Sequence, residues 1–139
     1  MPGGRRTVCA VPHGCQASIV RYATDRPPGS LDDPALVREG ARAYSQRGCT
    51  NCHGGPGAEP DAFSAGLNPP PNLKEVVNVL PPQELFWVIK NGIKMTGMPS
   101  FAASDPPVPD QEIWTVVAFL KKLPSVSDED SGPGAGSRP

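Results

Sequence analysis

Cys49-Thr50-Asn51-Cys52-His53 is the stretch on which the reading of this chain turns. The two thiols stand three residues apart, so in helical backbone they share one face, with an imidazole following directly. Two sulfurs at that spacing can add to two vinyl groups along one edge of a porphyrin. The imidazole next to them is then placed to reach the iron from the proximal side. CxxCH is therefore read as a c-type haem attachment motif. Other readings of the same letters stay open at this point. A redox dithiol of the thioredoxin type calls for a strand before the motif and a helix after it. Here a helical pattern comes first, and Gly54-Gly55-Pro56-Gly57 follows. Zinc would need two further ligands at knuckle spacing. The spare candidates Cys9, His13 and Cys15 lie 34 or more residues upstream, and Cys9 to Cys15 has the wrong gap. A pair of buried or disulfide-linked structural cysteines is the remaining alternative.

Working outward, Asp33-Pro34 reads as a helix cap and first-turn proline for residues 35–48, which end at Gly48. Leu36, Gly40, Ala43 and Tyr44 fall on one face of that helix. Downstream, residues 54–72 are rich in Gly and Pro and read as a long loop, of the kind that usually has a functional task such as wrapping a ligand. Pro81 and Pro82 open a second helix, with Leu85, Val88 and Ile89 on its face and Asn91-Gly92 at its end. Residues 92–101, GIKMTGMPSF, form a turn-rich loop carrying two methionines. Pro109 and Asp110 open a last helix with Ile113, Val117 and Leu120 on one stripe and Trp114 and Phe119 beside it. Lys121 and Lys122 sit at its C-terminal end, and Pro124 stops it. The short apolar run from Val76 to Leu80 is the one candidate for a strand. The fold class expected is all-α, three to five short helices joined by long loops.

Composition sharpens that picture. The chain has 139 residues, room for one domain, and its 19 prolines and 15 glycines bring it close to the level of low-complexity sequence. Yet 23 of the 28 Leu, Ile, Val and Phe residues lie in 31–124, which marks that segment as the domain. Residues 1–30 read as a poorly ordered arm. Their basic start at Arg5 and Arg6 is followed by an apolar stretch broken by Pro12, His13, Gly14 and Gln16, so neither signal peptide nor anchor is expected there. Residues 125–139, acidic and rich in Gly, Ser and Pro, read as a disordered tail. A core of this size would be marginal on burial alone and would gain from a large bound cofactor. The net charge of −1 speaks against a dedicated nucleic-acid binder, and no apolar run approaches the length of a membrane-spanning helix.

Met98 supplies a second ligand candidate. It sits 45 residues after His53 in a Gly-Met-Pro setting, where Pro99 presets the chain. Met95, in a more polar approach to the same turn, is the less favoured alternative, and either methionine could simply be core filler.

With these residues in hand, the segment from about 34 to 123 resembles a class I cytochrome c domain, of the small bacterial type also found joined to oxidases and dehydrogenases. The resemblance rests on Gly40 and Tyr44 in the first helix, CTNCH, PPNL at 70–73, GMPSF at 97–101 and WTVVAFLKKLP at 114–124. It implies a cytochrome c fold around one haem c, with thioethers at Cys49 and Cys52, axial ligands His53 and Met98, and the carbonyl of Pro71 accepting a hydrogen bond from the other ring nitrogen of His53. A close crossing of first and last helices is also implied, Gly40 letting Phe119 or Trp114 approach beside Tyr44. The implied function is one-electron transfer in a respiratory or dehydrogenase-linked chain, as a carrier or relay subunit and not an enzyme. Its partners would be redox proteins, a membrane-bound respiratory complex or dehydrogenase among them, meeting the haem edge near Lys74, Lys90 and Lys94. Haem c attachment implies the periplasm or the outer face of the cytoplasmic membrane. Cys9 and Cys15 match nothing in the family pattern.

Overall fold

The computed structural model describes residues 21–66, 72–93 and 96–126. The expectations for residues 1–20, including Cys9 and Cys15, and for 127–139 lie outside them. Among the described residues there are five α-helices, α1 (Pro34–Gln46), α2 (Cys49–His53), α3 (Leu73–Val79), α4 (Pro82–Asn91) and α5 (Asp110–Lys122). Two short 3-10 turns, Ala62–Gly66 and Leu123–Ser125, complete the described set. No β-strand forms among the described residues, so the fold class is all-α, as expected.

The frame is the crossing of α1 and α5. α1 begins as its sequence demands, with the Asp33 carboxylate accepting from the Ala35 amide at 2.9 Å and Pro34 in the first turn. It buries Gly40, Ala43 and Tyr44, while Leu36 is only half-buried. Gly40 is where the backbones meet. A Cβ built there would lie 1.8 Å from the Thr115 carbonyl oxygen and 2.9 Å from Phe119 Cβ, so no larger residue fits without parting the helices. Through that gap Tyr44 and Phe119 pack with ring centroids 5.2 Å apart, tilted by 56°. Of the two aromatic neighbours expected for Tyr44, Phe119 takes the place, and Trp114 turns to the other side to stack on Phe86 at 4.2 Å. α5 is buried from Ile113 to Leu120, more than a single stripe, because helices close on it from several sides.

Two expectations are corrected here. The run from Val76 to Val79 is helical, the end of α3 with Leu80 as its C-cap, not a strand. The Asn72 side chain caps this helix by accepting from the Lys74 amide at 3.0 Å, and Glu75 lies in the first turn, where the helix dipole favours it. Val77 is driven into the core, 2% exposed, and Lys121 of α5 donates to its carbonyl at 3.0 Å. Helix capping and packing overrode the β-branched composition that had suggested a strand. On α4 the buried face is Leu85, Phe86 and Ile89, with Val88 half-buried. Phe86 replaces Val88 because Trp114 offers a ring to stack on.

Candidate haem site

The CTNCH stretch forms a single helical turn, α2, directly after α1. Gly48 separates the two helices in a left-handed conformation. Residues just outside the turn close it. The Asn51 amide donates to the Gly48 carbonyl at 3.1 Å, the Gly54 amide to the Thr50 carbonyl at 2.8 Å, and the Asp61 amide to the Asn51 carbonyl at 2.7 Å. From α1, the buried Tyr44 hydroxyl donates to the Gly54 carbonyl at 2.6 Å, fixing the residue that follows His53. Burial, with the two cysteines adding to it, raises the Tyr44 phenol above its ordinary pKa, so the hydroxyl stays a donor.

Cys49 and Cys52 are free thiols, both half-buried. Burial pushes the Cys49 thiol up to about 11. A redox-active dithiol works through a thiolate of lowered pKa, so this environment is the wrong one for thioredoxin-type exchange. Nor does any group of three or more His, Cys, Asp and Glu among the described residues come together to hold a metal such as zinc.

His53 has a buried Nδ1 with no hydrogen-bond partner among the described residues. Burial also lowers its pKa, which keeps the ring neutral, the form that ligates a metal. A buried ring nitrogen without a partner needs a physical reason. Pro71, whose carbonyl is the partner expected for it, lies outside the described residues.

Met98 lies in the loop that follows α4, half-buried and packed against the core. Its backbone is held by residues that the sequence reading passed over. The Met98 amide donates to Thr96 Oγ1 at 3.1 Å, and that hydroxyl donates to the Ile93 carbonyl at 2.8 Å. The Ile93 amide donates to the Met98 carbonyl at 3.2 Å, closing the loop on itself. Ser100 Oγ and the Ala102 amide both donate to the Lys90 carbonyl, each at 2.9 Å. Gly92 makes this seat possible. Its φ is +70°, and a Cβ there would lie 2.7 Å from the Pro99 carbonyl carbon and 2.8 Å from the Met98 carbonyl oxygen. Thr96 two residues before Met98 was a readable turn signal. The role of Gly92 was not readable beyond the end of a helix. Met95 lies outside the described residues.

The candidate donors are thus two free thiols on one turn, a neutral half-buried imidazole next to them in sequence, and a thioether on a braced loop. These residues fit a covalently bound haem. A family model described as Cytochrome C oxidase, cbb3-type, subunit III matches residues 35–120. The chain belongs to that family. It is a class I c-type cytochrome domain, and that membership implies haem c binding and electron transfer as a carrier or relay subunit. No curated protein and no solved structure matches the chain.

Of the lysines expected around the site of this cytochrome domain, Lys74 is exposed at the start of α3. Lys90 is already engaged, paired with Asp110 at 3.0 Å and lying 5.4 Å from the Phe86 ring centroid. Lys94 lies outside the described residues. No helix among the described residues is long and apolar enough to cross a membrane.

Proposed function

We propose that this chain relays single electrons through one haem c joined by thioethers to Cys49 and Cys52, with His53 and Met98 as axial ligands, toward a membrane-bound oxidase complex of the cbb3 type. The observation that carries this reading is the α2 turn, where two free thiols precede a half-buried imidazole whose buried Nδ1 has no partner among the described residues. Pro71 is the residue we assign to that partner role, its carbonyl accepting from Nδ1 so that the other ring nitrogen stays bare for iron.

When bound, haem c supplies an iron that accepts and releases one electron at a time. The chain's own residues set the conditions for it. Burial holds His53 neutral, so ligation requires no proton to leave at ordinary pH. Thr96 and Gly92 hold the Met98 loop rigidly, so its sulfur need not be ordered each time the charge on the metal changes. A thioether ligand favours the reduced state and raises the potential relative to many other axial sets. His53 and Met98 together would leave a bound iron no open site for oxygen or substrates, so its role would be transfer and not catalysis.

The oxidase subunit in the family description favours a relay within or beside that complex over a freely diffusing carrier or a dehydrogenase-linked subunit. Its place would be the periplasm or the outer face of the cytoplasmic membrane, where haem c is attached.

Expression with periplasmic cytochrome maturation tests the proposal. Haem should stay with the polypeptide after denaturation, in a reduced spectrum typical of two thioether links; denatured protein free of haem would end it. Met98→Ala should lower the potential and abolish the ferric sulfur-to-iron charge-transfer band. Persistence of that band would move the ligand role to Met95. Co-purification with an oxidase complex separates relay subunit from free carrier.

A further inference from the structure

One ion pair in the molecule stands apart from the others. Arg47 closes α1, two residues before Cys49, and its Nε and Nη2 donate to the two carboxylate oxygens of Glu112 at 2.9 and 2.8 Å. Glu112 lies in the first turn of α5, 65 positions away in sequence. This is a two-pronged pair of fixed geometry, in contrast to the single contacts of Lys90 with Asp110 and Lys122 with Asp32. Its position matters more than its strength. Arg47 and Glu112 are the charged members of a narrow crevice whose other walls are Cys49, Ile89, Phe101, Val108, Ile113 and Val116. Six walls are therefore apolar or sulfur-bearing, and one of them is the thiol proposed to carry the haem. Opposite charges stand at the rim of that low-polarity space, where fields are screened less than in bulk water.

We propose that Arg47 and Glu112 are a redox-tuning pair, a matched positive and negative charge beside the Cys49 attachment point that together leave the field at the iron nearly neutral and individually shift its potential in opposite directions. The proposal rests on haem attachment at Cys49. A pair that merely staples α1 to α5 would be a surface salt bridge, and such bridges contribute little to stability. Its loss from either end would then act alike. The tuning role predicts a difference in sign. With Arg47 neutralised, the lone carboxylate favours the ferric state; with Glu112 neutralised, the lone guanidinium favours the ferrous state.

The test is spectroelectrochemical titration of the full chain, matured with haem, as wild type, Arg47→Gln, Glu112→Gln, the double variant and Lys122→Gln as a control pair member away from the crevice. Retention of covalent haem after denaturation is scored first in the wild-type chain, so failure of haem attachment is seen there, separately from any failure of the tuning pair. The expected result is a lower potential for Arg47→Gln, a higher one for Glu112→Gln and a value near wild type for the double variant. Both single shifts should shrink as salt is added. Shifts of the same sign in the two single variants, or shifts no larger than that of Lys122→Gln, would overturn the proposal. The double variant guards against misfolding, since it removes both charges while leaving two amides able to pair across the same gap.

Discussion

His53 stands in a helical turn closed by hydrogen bonds that span three or four residues, whereas Met98 stands in a loop whose seat is the C-terminal end of another element, α4. On the histidine side two longer struts are added, the Asp61 amide on the Asn51 carbonyl and the Tyr44 hydroxyl on the Gly54 carbonyl. On the methionine side Ser100 and Ala102 reach back to Lys90, and the close approach of Pro99 to Gly92 leaves no room for a Cβ. The contrast teaches where each ligand is vulnerable. A local turn carries its geometry with it and depends on the rest of the fold mainly for orientation. A loop moulded on a helix end inherits every error of that end.

The largest effect is expected where both sides share a support. Gly40→Ala forces a methyl into the Thr115 carbonyl, parting α1, which leads into the CTNCH turn, from α5, on which α4 packs. It should cost about 3 kcal/mol or more and reduce covalent haem yield together with the denaturation midpoint; a wild-type yield and midpoint would show that the crossing is not the common frame. Gly92→Ala should break the comparison open on one side. The positive φ and the contacts to Pro99 and Met98 cost about 2 kcal/mol, and the ferric methionine band should be lost while haem stays covalently attached. Loss of the haem itself would mean that the two sides are not separable.

Thr96→Val and Tyr44→Phe form a matched pair of milder tests. Each removes one hydroxyl, at a cost of about 1 kcal/mol in thermal or chemical unfolding. Thr96→Val should make Met98 easier to displace by added imidazole, and Tyr44→Phe should leave that displacement unchanged. The smallest effect belongs to Asp32, which pairs with Lys122 at the C-terminal end of α5. Its hydrogen bond and charge contact with Lys122 lower the carboxyl pKa in the folded state. The unfolded chain therefore binds the proton more readily, so the contribution is present above the ordinary carboxylate pKa and is lost as pH falls through the folded value. Asp32→Asn should flatten that slight acid-side slope in stability without altering the ligand spectrum at neutral pH.

Much of this was legible without the fold. Asp33, Pro34 and Gly48 bound α1, and Pro109, Asp110 and Pro124 bound α5, because caps and prolines act through their own backbone and the next turn. The close crossing at Gly40 came from the family resemblance, and it agrees with the cost of a glycine inside a helix that lacks a packing reason. What failed was where a distant partner decided the outcome. Val76 to Val79 became helix through the Asn72 cap and the burial of Val77 under Lys121, and Phe86 displaced Val88 from the core face because Trp114 was there to receive it.

The sequence by itself determined the chemistry of the CTNCH turn, the first and last helices and the all-α class, because each follows from residues within a few positions of one another. Only the tertiary structure decided that Gly92 would mould the methionine loop, that Tyr44 would brace the backbone after His53, and that Arg47 would meet Glu112 beside Cys49. The reason is geometric. A hydrogen bond or an ion pair exists only at its own distance and angle, and no reading of neighbours along the chain supplies the separation of groups that the fold alone brings together.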